Sequence, residues 1–100
     1  MNDHLRKLLT IVTEAAVEKL LVKDLEKLGA HGYTITDARG KGSRGVRSSD
    51  WEASSNIRLE VVCDEATATA ITHHLQEHYY ANFAMILFTI DVAVVRPAKF

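Results

Sequence analysis

The sequence predicts an α+β sandwich in which a four-stranded sheet carries two helices on one face, in the order β-α-β-β-α-β. Three observations carry that expectation. Two segments hold apolar residues at helical spacing, and four others alternate or run apolar as strands do. Each helical segment lies between two strands, so each is a crossover. Two right-handed crossovers with both helices on one sheet face give the ferredoxin-like topology. One hundred residues are enough for a single domain, 1–100, with one compact core.

The elements follow in order. Residues 7–12 (KLLTIV) are short, apolar and partly β-branched, as a buried strand is. Thr13 stands where an N-cap is expected. In the helix that follows, Val17, Leu20, Leu21, Leu25 and Leu28 share one face, and Glu14, Glu18, Lys19, Lys23 and Lys27 cover the other. Gly29 follows the last turn, where a left-handed residue is cheap only for glycine. Residues 33–38 (YTITDA) alternate as a second strand. A long loop at about residues 40–55 comes next, and loops of that length usually carry function or are disordered. In residues 56–63 (NIRLEVVC), Ile57, Leu59, Val61 and Cys63 face one way, Arg58 and Glu60 the other. Asp64 caps a second helix running to about Tyr80, with Glu65 in its first turn and Ala70, Ile71 and Leu75 as its apolar stripe. The last strand spans residues 85–95, with Ile86, Phe88, Ile90, Val92 and Val94 expected on the core face. The opposite sheet face then carries Met85, Leu87, Ala93 and Val95 among Thr89, Asp91, Arg58 and Glu60. It is too apolar to stay wet and is expected to be a subunit interface.

Composition narrows the function classes. Hydrophobic residues are 47% and charged residues 25%, ordinary for a soluble domain. The net charge of −1 excludes a chain that binds polyanions over its whole surface. No run approaches a membrane span and the first residues lack a signal-peptide core, so a cytoplasmic location is expected. Cys63 is the only cysteine, which excludes an intrachain disulfide and a cysteine-built metal site; a buried, inert thiol is expected. His74 and His78 stand four apart, a spacing that can chelate zinc. The stretch lacks the glutamate of a protease HExxH motif, and a bare pair on a solvated helix is ordinary, so no metal is expected. Tyr79, Tyr80 and Phe83 are expected to close the core beneath the last strand.

Basic charge concentrates in residues 37–50 (DARGKGSRGVRSSD). Gly40, Gly42 and Gly45 permit backbone shapes in which successive N–H groups converge on an anion. Lys41, Arg44 and Arg47 add charge, the arginines in a form that grips paired oxygens, and Ser43 adds a hydroxyl. A solvated hairpin with basic residues for solubility accounts for the same composition. The stretch is not a Walker A loop, because the glycine spacing is wrong and no helix follows. Nucleic acid is not expected: the cluster is short, Asp37, Asp50 and Glu52 flank it, and Trp51 alone is near for stacking. Trp51 instead suits a partner anchor or packs on its own loop.

Residues 29–50 (GAHGYTITDARGKGSRGVRSSD), with IVTE at 11–14 and NIRLEVV at 56–62, resemble the PII-like signalling proteins. The nearest branch is that of SbtB and the carboxysomal PII-like proteins. The resemblance covers nearly the whole chain. It implies a homotrimer with sheets facing inward, adenine nucleotides in three inter-subunit clefts, and a T-loop between the second and third strands that orders with ligand. Residue by residue it implies that Gly40, Lys41, Gly42, Ser43 and Arg44 form the T-loop base around the phosphates, and that Arg47 reaches a phosphate. Gly32, Thr34, Glu60 and Val62 would wall the nucleotide pocket. Ala84 and Met85 match the turn that supports nucleotide from the neighbouring chain.

Three departures from the family pattern refine this. No T-loop tyrosine is present, so tyrosine modification is not expected. After the last strand only Arg96 and Lys99 are basic, which favours AMP or ADP over ATP. A C-terminal cysteine pair is missing, so a thiol-redox switch is not expected. Bicarbonate, a small planar anion, suits a guanidinium fork, and Lys41, Arg44, Arg47 and Arg58 are the cations for it. The implied function is regulation of inorganic-carbon uptake or carboxysome function. A bicarbonate transporter, a carboxysome component or a carbonic anhydrase is the implied partner, and any carboxysome or inner-membrane association runs through it. The alternative is an enzyme on the same fold, a slow nucleotide phosphohydrolase or an acylphosphatase-like protein. No loop residue is a convincing general base; Asp50 and Glu52 are placed only to position a water.

Overall fold

The computed structural model of the chain describes residues 4–40 and 55–100. Four strands, β1 (Leu5–Glu14), β2 (Thr34–Ala38), β3 (Asn56–Cys63) and β4 (Met85–Ala93), form one sheet in the order β2-β3-β1-β4. Every neighbouring pair is antiparallel. Helices α1 (Glu18–Lys27) and α2 (Glu65–His78) connect β1 to β2 and β3 to β4. The expected βαββαβ order and ferredoxin-like sandwich are therefore present. No helix among the described residues is long and apolar enough to cross a membrane.

The core lies between the helices and one sheet face. Leu9 and Ile11 of β1, Leu59 and Val61 of β3, Leu21 and Leu25 of α1, and Ile71 and Leu75 of α2 are all fully buried. Cys63 is buried with them, as the alternation of β3 requires. The stripe of α1 runs through Val17, Leu21 and Leu25, leaving Leu20 half exposed. In α2 the third stripe position belongs to Ala68, not Ala70, because Ala68 precedes Ile71 by three residues and Leu75 by seven. Tyr79 is buried and Phe83 packs on the core, whereas Tyr80 is exposed.

Two further sequence expectations are corrected. Thr13 does not cap α1. Strand β1 continues through it to Glu14, and a 3₁₀ turn (Ala15–Val17) comes before α1. The Thr13 hydroxyl instead donates to the Ala84 carbonyl at 2.7 Å, and the Glu14 carboxylate accepts from the Ala84 N–H at 2.7 Å. Together they pin the entry of β4 to the end of β1.

The second correction inverts β4. Its register pairs Met85 with Thr13, Leu87 with Ile11 and Thr89 with Leu9. Directly paired residues share a face. Met85 and Leu87 therefore face the helices and pack on the core. Ile86, Phe88 and Ile90 lie on the open face, 52%, 43% and 52% exposed. Their partners Val12, Thr10 and Leu8 lie on that same face. Arg58 and Glu60 keep their expected side, paired with Val12 and Thr10. The open face is thus more apolar than the sequence reading allowed.

Candidate functional site

Helix α1 ends in a way that shapes the site. Gly29 takes φ 101, a left-handed conformation that a side chain would strain. The Ala30 N–H reaches the Leu25 carbonyl at 3.0 Å and the Gly29 N–H reaches that of Glu26 at 3.3 Å. This is a Schellman ending, as the glycine led one to expect. It stops the helix and turns residues 31–34 across the edge of the sheet.

There, His31, Gly32, Tyr33 and Thr34 meet Leu8 of β1 and Glu60 and Val62 of β3 around a cleft of about 410 Å³. Thr34 is paired with Glu60, and Leu8 with Val62, so these strand residues lie on the open sheet face. Lys99 and Phe100 complete the wall. A Cβ at Gly32 would meet no described residue within 4 Å, so the chain's own packing does not demand a glycine there. The apolar lining residues are Leu8, Val62, Tyr33 and Phe100. The polar groups are the Thr34 hydroxyl, the Glu60 carboxylate, the His31 ring and the Lys99 ammonium. A planar heterocycle with polar edges matches such a lining.

Lys99 ends a second 3₁₀ turn (Pro97–Lys99), and Phe100 is its C-cap. The Arg6 guanidinium donates to the Pro97 carbonyl at 2.9 Å, to the Phe100 backbone oxygen at 3.2 Å and to the Leu5 carbonyl at 2.8 Å. Beside the cleft, the Arg58 guanidinium meets Glu60 Oε2 at 3.2 Å and 3.3 Å. Both side chains are partly exposed, so the pair sets the orientation of the carboxylate more than it adds stability.

Of the residues singled out from the sequence, Gly32, Thr34, Glu60 and Val62 come together in one cleft. Arg58 stands at its side and Lys99 in its wall. Ala84 and Met85 do not join it. They open β4, the edge opposite β2, three strand spacings or roughly 14 Å across the sheet. Gly40 stands two residues past the last residue of β2, at the end of that strand away from Thr34. Lys41, Gly42, Ser43, Arg44 and Arg47 lie outside the described residues, as do Trp51, Asp50 and Glu52. Leu8, His31, Tyr33 and Phe100 were not foreseen as lining. Tyr33 adjoins the recognised glycine and Leu8 is two positions from a partner of Glu60, but nothing local marks Phe100.

The histidine pair serves a different purpose. His74 Nε2 lies 2.9 Å from Asp24 Oδ2, which also accepts from the Tyr79 hydroxyl at 2.6 Å. The His78 ring lies beside that of His74, tilted by 44°, with centroids 4.5 Å apart. These bonds join α1 to α2. Among the described residues no group of three or more His, Cys, Asp or Glu gathers to hold a metal.

The chain is thus an antiparallel α+β sandwich with an open apolar sheet face and a cleft at the β2 edge. The chain belongs to the P-II family: Nitrogen regulatory protein P-II matches residues 6–99. PII-like proteins are signalling proteins, and assembly as a trimer is typical of them. Among solved structures, the chain is similar to a protein of Thermus thermophilus assigned to the PII-like signaling proteins. They share 50% identity and a TM-score of 0.81, over 96% of this chain and 95% of that one. It is also similar to CPII, a nitrogen regulatory PII-like protein of Thiomonas intermedia K12 solved with ADP, AMP and bicarbonate. There the identity is 28% and the TM-score 0.80, over 96% and 93% of the two chains. CPII solved with ADP and bicarbonate gives 27% and 0.81, over 96% and 94%.

Proposed function

We propose that the protein is a PII-like signal transducer whose cleft binds AMP or ADP, together with bicarbonate. The observation that carries this reading is the convergence of Gly32, Thr34, Glu60 and Val62 around one cleft that Leu8, Tyr33 and Phe100 also line. CPII, similar over nearly the whole chain, holds ADP, AMP and bicarbonate and supports the ligand class. The open space at Gly32 supports close approach of a ligand to backbone.

Three such chains associate through the open sheet face, where Ile86, Phe88 and Ile90 are otherwise left to water. The neighbour's Ala84 and Met85 then approach the cleft, which one chain alone does not achieve. Gly40, Lys41, Gly42, Ser43, Arg44 and Arg47 belong to a T-loop that closes on the phosphates. Lys41, Arg44, Arg47 and Arg58 supply the positive charge that keeps bicarbonate beside a phosphate. Loop ordering changes what the trimer docks against, and the regulated process is inorganic-carbon uptake or carboxysome function. The SbtB branch and a transporter or carboxysome partner rest on the sequence resemblance.

A thermal-shift screen over AMP, ADP, ATP and cyclic AMP, each with and without bicarbonate, tests the ligand class. AMP or ADP raises the melting temperature; no shift with any nucleotide removes the reading. Incubation of ATP and ADP with Mg²⁺ separates a sensor, which binds without turnover, from a phosphohydrolase.

A further inference from the structure

We propose that Arg6 is a positioning residue for the cleft: it fastens the 97–100 turn to the sheet and thereby holds Lys99 and Phe100 in the cleft wall. The inference rests on the reading of that cleft as the nucleotide site, and adds a residue that acts on it without lining it.

The 97–100 turn does not hold itself. Its internal bonds are Lys99 N–H to the Arg96 carbonyl and Phe100 N–H to that of Pro97, each 3.1 Å. None of Pro97, Ala98 or Lys99 is buried. A single 3₁₀ turn with two internal bonds is not stable alone. The chain is last tied to the sheet at Val94, whose N–H donates to the His4 carbonyl at 2.8 Å. His31 Nδ1 lies 3.5 Å from the Lys99 carbonyl oxygen, too far for a strong bond.

Arg6 supplies the tie. It sits on β1, two residues before Leu8 and paired with Val92. One amino group holds the Leu5 carbonyl of its own strand, while the other amino group and Nε reach Pro97 and Phe100. The planar guanidinium thus bridges a rigid strand and both ends of the turn, which an ammonium on a flexible stem does not reproduce. A wall held in place before binding reduces the ordering cost at binding, so its loss weakens affinity.

The test combines two measurements on the full chain. Backbone ¹⁵N order parameters at Lys99 and Phe100, without nucleotide, fall below about 0.6 in Arg6→Ala while those of β1 stay rigid. ADP affinity, by calorimetry, drops about tenfold in Arg6→Ala and less in Arg6→Lys. Phe100→Ala weakens binding in the wild-type background but has little further effect in Arg6→Ala, because the ring is already displaced. If Arg6→Ala does not fold, Arg6→Gln and Arg6→Lys carry the same comparison. Unchanged order parameters overturn the fastening role, whether or not ADP binds. A mobile turn with unchanged ADP affinity, or additive losses from Arg6 and Phe100, overturn the positioning role. Absence of ADP binding by the wild type defeats the nucleotide reading instead, and with it the positioning role.

Discussion

Replacing Tyr79 by Phe removes one hydroxyl and leaves the packed ring. Tyr79 is 1% exposed, and its ring sits 5.8 Å from that of Phe83 in the closing layer of the core. Its hydroxyl donates to Asp24 Oδ2 at 2.6 Å, a charge-assisted bond between the two helices. Hydrogen bonds to charged groups contribute about 1.5–3 kcal/mol. The Asp24 side chain is 18% exposed, so water replaces part of the lost bond and the expected cost is about 1–2 kcal/mol. In a chain of this size each kcal/mol lowers the melting temperature by about 4–8 °C.

The pH dependence of that loss follows from Asp24. Burial alone pushes its carboxyl up, but the bonds from Tyr79 and His74, with the charge of Lys27, outweigh it and hold the group below its usual 3.8. A depressed folded value gives stability that is present above the unfolded value and lost as pH falls through the folded one. The gap between wild type and Tyr79→Phe is therefore steady from neutral pH down to about 5 and shrinks below about 4. Urea denaturation across that range, at one fixed protein concentration, measures it. Equal stabilities at pH 7, or a gap that widens on acidification, refute the reasoning.

Three further predictions concern other parts of the fold. Asp64 accepts from the Thr67 N–H at 2.8 Å as the N-cap of α2, so Asp64→Ala costs about 1 kcal/mol in denaturant melts and Asp64→Asn far less. Phe88→Glu places a charge in the middle of the open apolar face, through which the proposed trimer forms, so it sediments as a monomer where the wild type sediments as a trimer; a persistent trimer in the variant rules that face out as the interface. Burial, aided by the charge of Asp64, pushes the Cys63 thiol up to about 11, so at pH 8 iodoacetamide labels the native protein at least about a hundredfold more slowly than the unfolded chain. Because that value is raised, the linked stability is full below 9.0 and is lost as pH rises through about 11.

The fold was legible because its signals are local. Alternation in β3, the Gly29 ending of α1 and the Asp64 cap of α2 each act within a few residues. The facing of β4 was not legible, since residues 85–88 (MILF) are apolar on both sides and a period of two cannot choose between them. Pairing of Leu87 with Ile11 makes the choice, and that contact spans 76 positions of sequence. The Thr13 cap failed for a related reason: β1 gains length from β3 and β4, and their pairing overrides the local preference of Thr13. For the site, the resemblance singled out the four strand and turn residues of the cleft. It did not reach Arg6 or Phe100, which meet through a contact between the two ends of the described chain. Asp24, read from the sequence, is one charge on a helix; only the packing of α2 on α1 gives it His74 and Tyr79.

The proposed function places an adenine nucleotide in the cleft at the β2 edge, in concert with bicarbonate. Calorimetric titration of ADP into the protein, once in bicarbonate-free buffer and once with bicarbonate present, tests it most directly. ADP binds saturably with an affinity that changes with bicarbonate, and binding is lost when Gly32 is replaced by a bulky residue. Absence of ADP binding contradicts the nucleotide site, and identical affinities in the two buffers contradict the coupling.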